Sequence, residues 1–433
     1  MRPLALALPL LLLAPALAFA ANDPRRGEQW NLDLIESDAA HATSTGAGAV
    51  IAVVDTGVAA GHPDLAGQIL PGHDFVQDDG TPQDGNGHGS HVSGIALAAT
   101  GNGVGISSVA PGAKLLPVRV LDDQGSGSSE DVAAGIDWAR THGADVINLS
   151  LGSEVPIIGA TGGDEIDAAI RRALGAGIIV VAAAGNNGVP VCEQPAADAG
   201  LLCVGAVDKR EQRSFFSSFG QGLGVVAPGG SSVPVTGEDI LSTVPPDGYE
   251  EIAGTSQAAP HVSGVAALLV SKGVRGQAAV KRILDTATDL GPAGDDVQYG
   301  HGLVNARAAV AGLGSGSGGG GGAGGGTSGG SGEGSALEPF VHVKRRQRAL
   351  RRGVRVRLRA ATAGRVRVRV RSYGRTIGRR LRTVPAGRAR TVLVRLNERG
   401  RRMARRPGAL RAKVRVRLPG EKRDRVRRLR IVG

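Results

Sequence analysis

Aromatic residues are scarce in this chain, with six Phe, three Tyr and two Trp making up only 3% of its 433 residues. A core built without them must use Val, Ile, Leu and Ala, which favours parallel strands and close helix packing over an aromatic-rich β fold. Cysteine is almost absent too. Cys192 and Cys203 are the only two, too few for a disulfide scaffold, and their spacing matches no zinc pattern, which needs three or four ligands. In an oxidising compartment they are expected to pair, the alternative being two buried thiols. Beyond the N-terminus no stretch is apolar and long enough to span a bilayer.

The apolar run that does exist, Leu4 to Ala18, follows Arg2 and ends at Ala18-Phe19-Ala20. This is the pattern of a secretory signal over residues 1–20 with an A-x-A cleavage site. The rival reading, a retained anchor, fits less well because the run is short and Pro9 and Pro15 interrupt it. A secreted protein is expected.

Charge divides the chain. Residues 1–336 hold 16 Lys+Arg against 35 Asp+Glu, whereas residues 337–433 hold 35 against 4. The net charge of +12 therefore describes neither part. An acidic globular domain (21–311) is expected, then a Gly/Ser-rich linker (312–336) and a basic module (337–433). In the first part, short apolar runs such as Val50–Val54, Leu115–Val120, Val146–Leu149, Ile178–Ala182, Leu202–Val207 and Gly224–Val226 read as strands buried on both faces. Helix patterns at Gln29–His41, His91–Ala99, Glu130–Thr141, Asp164–Ala176 and Pro260–Lys272 alternate with them. That order predicts an α/β fold with a doubly wound parallel sheet, whose strand C-termini form one functional edge. In the last part, runs such as Arg365-Val366-Arg367-Val368-Arg369-Val370 alternate with period two. They predict a small antiparallel all-β module of five to seven strands with arginine outside.

Four short motifs carry chemistry. Asp55 ends the first buried strand in Val54-Asp55-Thr56-Gly57, and His88 lies between glycines in Asn86-Gly87-His88-Gly89-Ser90-His91. Ser256 stands in Gly254-Thr255-Ser256-Gln257-Ala258-Ala259-Pro260, ahead of an apolar helix. Asn186 follows another strand in Ala183-Ala184-Gly185-Asn186. Taken singly, each has a plain structural reading: a turn carboxylate, a packed histidine such as His91, a helix cap. A serine at a helix N-terminus also has backbone N–H groups and a positive dipole end that favour a developing oxyanion, to which an Asn amide can add a donor.

In this order and at these separations the motifs resemble the subtilisin-like serine peptidases, and within them the secreted thermitase-like members, over about Asp23 to Leu313. The resemblance implies a three-layer subtilisin-like fold and a serine endopeptidase with Asp55, His88 and Ser256 as triad and Asn186 in the oxyanion hole. It implies protein or peptide substrates bound as an added strand between Ser150-Leu151-Gly152 and Gly125-Ser126-Gly127, which otherwise read as turns. It also implies structural Ca2+ near Asp23, Asp64 and Asn102, with a turn or cap role for Asp64 as the alternative.

The chain departs from the family in three places. Asp23 lies two residues past the predicted cleavage site, where relatives carry a pro-segment, so unaided folding is expected. Gln257 stands where relatives commonly have an oxidisable Met. Glu193 lies in a segment, Val189–Ala199, that replaces part of the primary pocket, where a carboxylate would favour Lys or Arg. An Arg-rich tail in an Arg-preferring enzyme argues against that last reading.

The basic module is expected to bind polyanions, whether cell-wall polymers, acidic polysaccharide, lipid headgroups or nucleic acid, unless it is only a soluble spacer. With Phe340 and Tyr373 its only aromatics, base reading by stacking is not expected. A monomer is expected. The contrasting function class, a non-catalytic binding protein on the same scaffold, conflicts with the presence of all four motif residues.

Overall fold

The computed structural model describes residues 22–314 except 153–163, 198–199 and 234, together with the strands and some connecting residues between 340 and 432. The expected signal sequence and the Gly/Ser stretch from 315 onward lie outside the described residues. The chain forms two compact units, Met1–Gly320 and Gly321–Gly433. No helix of the described residues is long and apolar enough to cross a membrane.

The first unit is built on seven strands: β1 (Val50–Asp55), β2 (His73–Asp74), β3 (Lys114–Arg119), β4 (Val146–Leu149), β5 (Ile179–Ala183), β6 (Leu202–Val207) and β7 (Leu223–Pro228). They form one parallel sheet in the order β2-β3-β1-β4-β5-β6-β7. Strand order reverses at β1, so the crevice beyond its C-terminal end opens next to Asp55. The strands are nearly continuous buried Val, Ile, Leu and Ala, because helices cover the sheet. A hairpin, β8 (Ile240–Val244) with β9 (Gly248–Ile252), lies outside the sheet and was not foreseen.

The helices are α1 (Trp30–Leu34), α2 (Ser37–His41), α3 (His88–Leu97), α4 (Ser129–Thr141), α5 (Asp164–Gly175), α6 (Thr255–Val270), α7 (Gly276–Asp285) and α8 (Ala306–Val310). The single helix expected over 29–41 is broken, since Glu36 takes a left-handed conformation with φ of 54°. Helices α3 and α6 pack together, with α6 lying along β4 to β7 and α4 pairing with α5. Both α3 and α6 are buried nearly all round. They also begin earlier than the sequence pattern placed them, at His88 rather than His91 and at Thr255 rather than Pro260. His88 and Ser256 therefore sit in first helical turns. Cys192 and Cys203 form a disulfide that ties the loop after β5 to β6.

The second unit has, among the described residues, a three-stranded sheet, β10 (Phe340–His342), β12 (Val354–Arg359) and β15 (Arg390–Val394). Its five-stranded sheet runs β11 (Arg346–Arg348), β17 (Arg425–Val432), β16 (Leu410–Arg417), β13 (Gly364–Ser372), β14 (Arg375–Val384). All pairs are antiparallel except β11 with β17. The period-two pattern is realised directly: Val354, Val356, Leu358, Val366, Val368, Val370, Val414 and Val416 form one buried core.

Candidate active site

Asp55 ends β1 and is fully buried. Its Oδ1 accepts from the Thr56 N–H at 2.7 Å and from His88 Nδ1 at 2.8 Å. Among the described residues its buried Oδ2 has no hydrogen-bond partner. The His88 ring, 27% exposed, keeps its other nitrogen for the cleft. Burial disfavours the charged ring, but the charge and hydrogen bond of Asp55, aided by Asp84, outweigh it and raise the His88 pKa above the ordinary histidine value. The two neighbouring histidines behave oppositely. Burial lowers His91 to about 3 and His261 to about 4, so both stay neutral and structural.

Asp84 was not singled out from the sequence, yet it fixes the start of α3. Its Oδ1 accepts from the Thr56 hydroxyl and the Asn86 and Gly87 N–H groups, and its Oδ2 from the Ser90 N–H and hydroxyl, at 2.6–2.9 Å. Burial acts against the carboxylate, but these donors hold its pKa below the usual range. A carboxylate followed by a turn just before a helix was the legible sign.

Ser256 lies one residue into α6. Pro260, inside that helix, has no N–H to give the carbonyl four residues earlier, which is that of Ser256. The Ser150 hydroxyl supplies the missing donor at 2.7 Å. Ser150 in turn accepts from Asn148 Nδ2, and the Asn148 Oδ1 accepts from the Ser263 hydroxyl. This buried chain ties the end of β4 to the serine-bearing turn. The Ser256 hydroxyl donates to the Ser150 carbonyl at 3.3 Å, and among the described residues no hydrogen bond joins it to His88.

The Asn186 Oδ1 accepts from the Thr255 N–H at 2.9 Å and hydroxyl at 2.8 Å, which turns its Nδ2 toward Gly254. A Cβ on Gly254 would stand 2.7 Å from the Gln257 side-chain oxygen, 3.4 Å from Asn186 Nδ2 and 3.6 Å from the Ser256 nitrogen. Two N–H donors thus converge beside Gly254, as stabilising an oxyanion requires, with the Gln257 side-chain oxygen packed against the same glycine.

Of the expected substrate rims, Ser150 is buried, Leu151 half-buried and Gly152 exposed, directly after β4. Gly125, Ser126 and Gly127 form an exposed loop. The Ser126 N–H and carbonyl and the Gly125 N–H all bond Asp122, so a paired peptide would use Gly127.

Asp23 and Asp64 are buried, and Asn102 bridges them: its backbone N–H donates to Asp23 and its Nδ2 to Asp64. Neither carboxylate has a basic partner among the described ion pairs. Two unneutralised buried carboxylates beside a glycine-rich loop suit a hard cation. No group of three His, Cys, Asp or Glu side chains lies together among the described residues, so carbonyl oxygens would have to complete the set. The Asn102 amide serves here as a donor, and its Oδ1 accepts from the Val104 N–H. The Tyr249 hydroxyl donates to Asp64 Oδ2 at 2.9 Å.

The model of the Subtilase family matches residues 46–302. Thermitase of Thermoactinomyces vulgaris is 42% identical over 293 residues, covering 67% of this chain and 99% of that protein. Subtilisin Savinase of Lederbergia lenta is 42% identical over 283 residues, covering 65% and 97%. A solved protease of Pseudoalteromonas arctica PAMC 21717 is similar at a TM-score of 0.61 and 33% identity, covering 67% of this chain and 98% of that one. A family match over more than half of the chain, joined to 42% identity across nearly the whole of thermitase, shows that the chain belongs to the subtilase family of serine peptidases.

Proposed function

We propose that this chain is a secreted endopeptidase in which Ser256, His88, Asp55 and Asn186 act together on a peptide bond. The observation that carries the reading is the convergence of Asn186 Nδ2 and the Ser256 N–H beside Gly254. Ser256 Oγ, turned from the Ser150 carbonyl, attacks the scissile carbonyl carbon while its proton passes to His88 Nε2. Asp55 holds the Nδ1–H tautomer and stabilises the imidazolium, and the two N–H groups hold the oxyanion. The carbon–nitrogen bond then breaks, His88 protonates the leaving amine, and water releases the acyl group by the reverse proton path. A fluorophosphonate probe should label Ser256 stoichiometrically by mass spectrometry and leave Ser256→Ala unlabelled. A folded, unlabelled wild-type protein would refute the assignment.

Calcium in this reading is structural. Asp23 and Asp64 would hold it, and its charge would fix residues 22–25 against the loop at 100–106, with no part in the reaction.

The second unit is proposed to attach the enzyme to anionic polymers. Register supports this: Arg369 lies opposite both Arg379 and Arg415, and Arg367 opposite Arg417. Arg365, Arg367, Arg369 and Arg379 are exposed. Like charges placed directly across strands destabilise a sheet, and a bound polyanion relieves that, with guanidinium forks suited to phosphate. Retention of the full chain on phosphocellulose should fall steeply with salt and weaken in an Arg367→Glu, Arg369→Glu variant. Retention insensitive to both would refute it.

A further inference from the structure

Glu193, in the loop between β5 and β6, is 5% exposed. Its Oε1 accepts from the Ser218 hydroxyl at 2.7 Å and the Asn187 N–H at 3.3 Å, and its Oε2 from Asn187 Nδ2 at 2.7 Å. All three donors are neutral. Among the described ion pairs no Lys, Arg or His meets this carboxylate. A carboxylate has about four acceptor positions, so Oε2 keeps one in reserve. Buried charges are as a rule paired, and among the described residues this one meets only neutral donors.

Its position says where a cation would come from. The carboxylate lies against Gly185, where a Cβ would stand only 2.1 Å from Oε1, and Gly185 immediately precedes Asn186. Across the crevice, a Cβ on Gly152 would be 3.6 Å from the Gln194 carbonyl oxygen. The ends of β4 and β5 thus form two glycine-lined walls that residues 193–194 close at one end. An acyl group whose oxygen rests between Asn186 and Ser256 carries its side chain on the adjacent carbon, within reach of those walls. We propose that Glu193 binds the cationic end of that side chain, so that cleavage follows Arg or Lys. This rests on Ser256 and Asn186 being the reacting centre. The arginines of the inner strands β12, β13, β16 and β17 do not conflict with it, because their backbone is paired on both sides, whereas a protease takes up extended, unpaired backbone.

The test compares kcat/KM for peptide amides that differ only in Arg, Lys or Leu before the scissile bond. Wild-type enzyme, with active sites titrated by the fluorophosphonate, should favour Arg and Lys over Leu by about tenfold or more, the range of one charged hydrogen-bonded contact. In Glu193→Gln the Arg-to-Leu ratio should fall toward one, and Glu193→Asp should recover part of it. A labelled Glu193→Gln enzyme with an unchanged ratio overturns the proposal. So does wild-type preference for Leu, which needs no variant to fold. Absence of labelling in the wild type would instead strike the assignment of Ser256.

Discussion

Replacing Asp55 by asparagine separates the charge of the carboxylate from its shape. One oxygen, Oδ1, receives both the His88 ring and the Thr56 N–H. An asparagine that turned its NH2 to that position would face the Thr56 N–H donor to donor, so Thr56 keeps the amide oxygen there. His88 then retains the Nδ1–H tautomer and the variant loses mainly charge. Two unit charges about 4 Å apart interact by about 4 kcal/mol at an effective dielectric constant near 20, or about 10³ in rate. The asparagine NH2 falls where Oδ2 is already buried without a partner among the described residues, so one unsatisfied polar group replaces another and stability should change little. Steady-state kcat/KM against pH, with thermal unfolding, reads both effects. Asp55 is what raises the His88 pKa and burial opposes it, so the wild-type acid limb should lie above the ordinary histidine value and move to lower pH in the variant. A loss under tenfold with an unmoved acid limb would refute Asp55 as the working partner. A loss well beyond about 10⁴ would mean the amide had turned and imposed the wrong tautomer.

Asn186→Ala should lower kcat by about 10²–10³ with little change in KM, since the donor acts on the transition state; a loss confined to KM would make Asn186 a binding residue. Dilute peroxide should leave most activity intact, because Gln257 occupies the buried position after the serine and offers no thioether; Gln257→Met should introduce sensitivity, and rapid inactivation of wild type would contradict the reasoning. Calcium should raise Tm and a chelator lower it, as expected for a ligand of the folded state, with Asp64→Asn abolishing the difference. A Tm indifferent to both would leave Asp23 and Asp64 as a purely hydrogen-bonded joint.

The sheet was legible because buried parallel strands are continuous apolar runs, and the Arg-Val alternation announced a second, half-solvated β unit. The four motifs were legible because each is local: strand end, glycine-flanked histidine, helix start. Helix boundaries were less so. The apolar pattern of α6 begins only after Pro260, and nothing local says that a helix can tolerate that proline. It can because Ser150, 106 positions away, donates to the carbonyl that the proline leaves free.

Composition and motif order by themselves determined the fold class, the two-part charge and the candidate residues, since these depend on side-chain type and short spacing. Tertiary structure alone decided which groups became partners. It put Asp84 under the histidine loop, brought two N–H donors together beside Gly254, buried Glu193 among neutral donors, used the Asn102 amide as a donor and set Arg369 between two other arginines. Each of these is a contact between separate loops or strands, fixed by how the sheets and helices pack, and such contacts leave no periodicity in the chain.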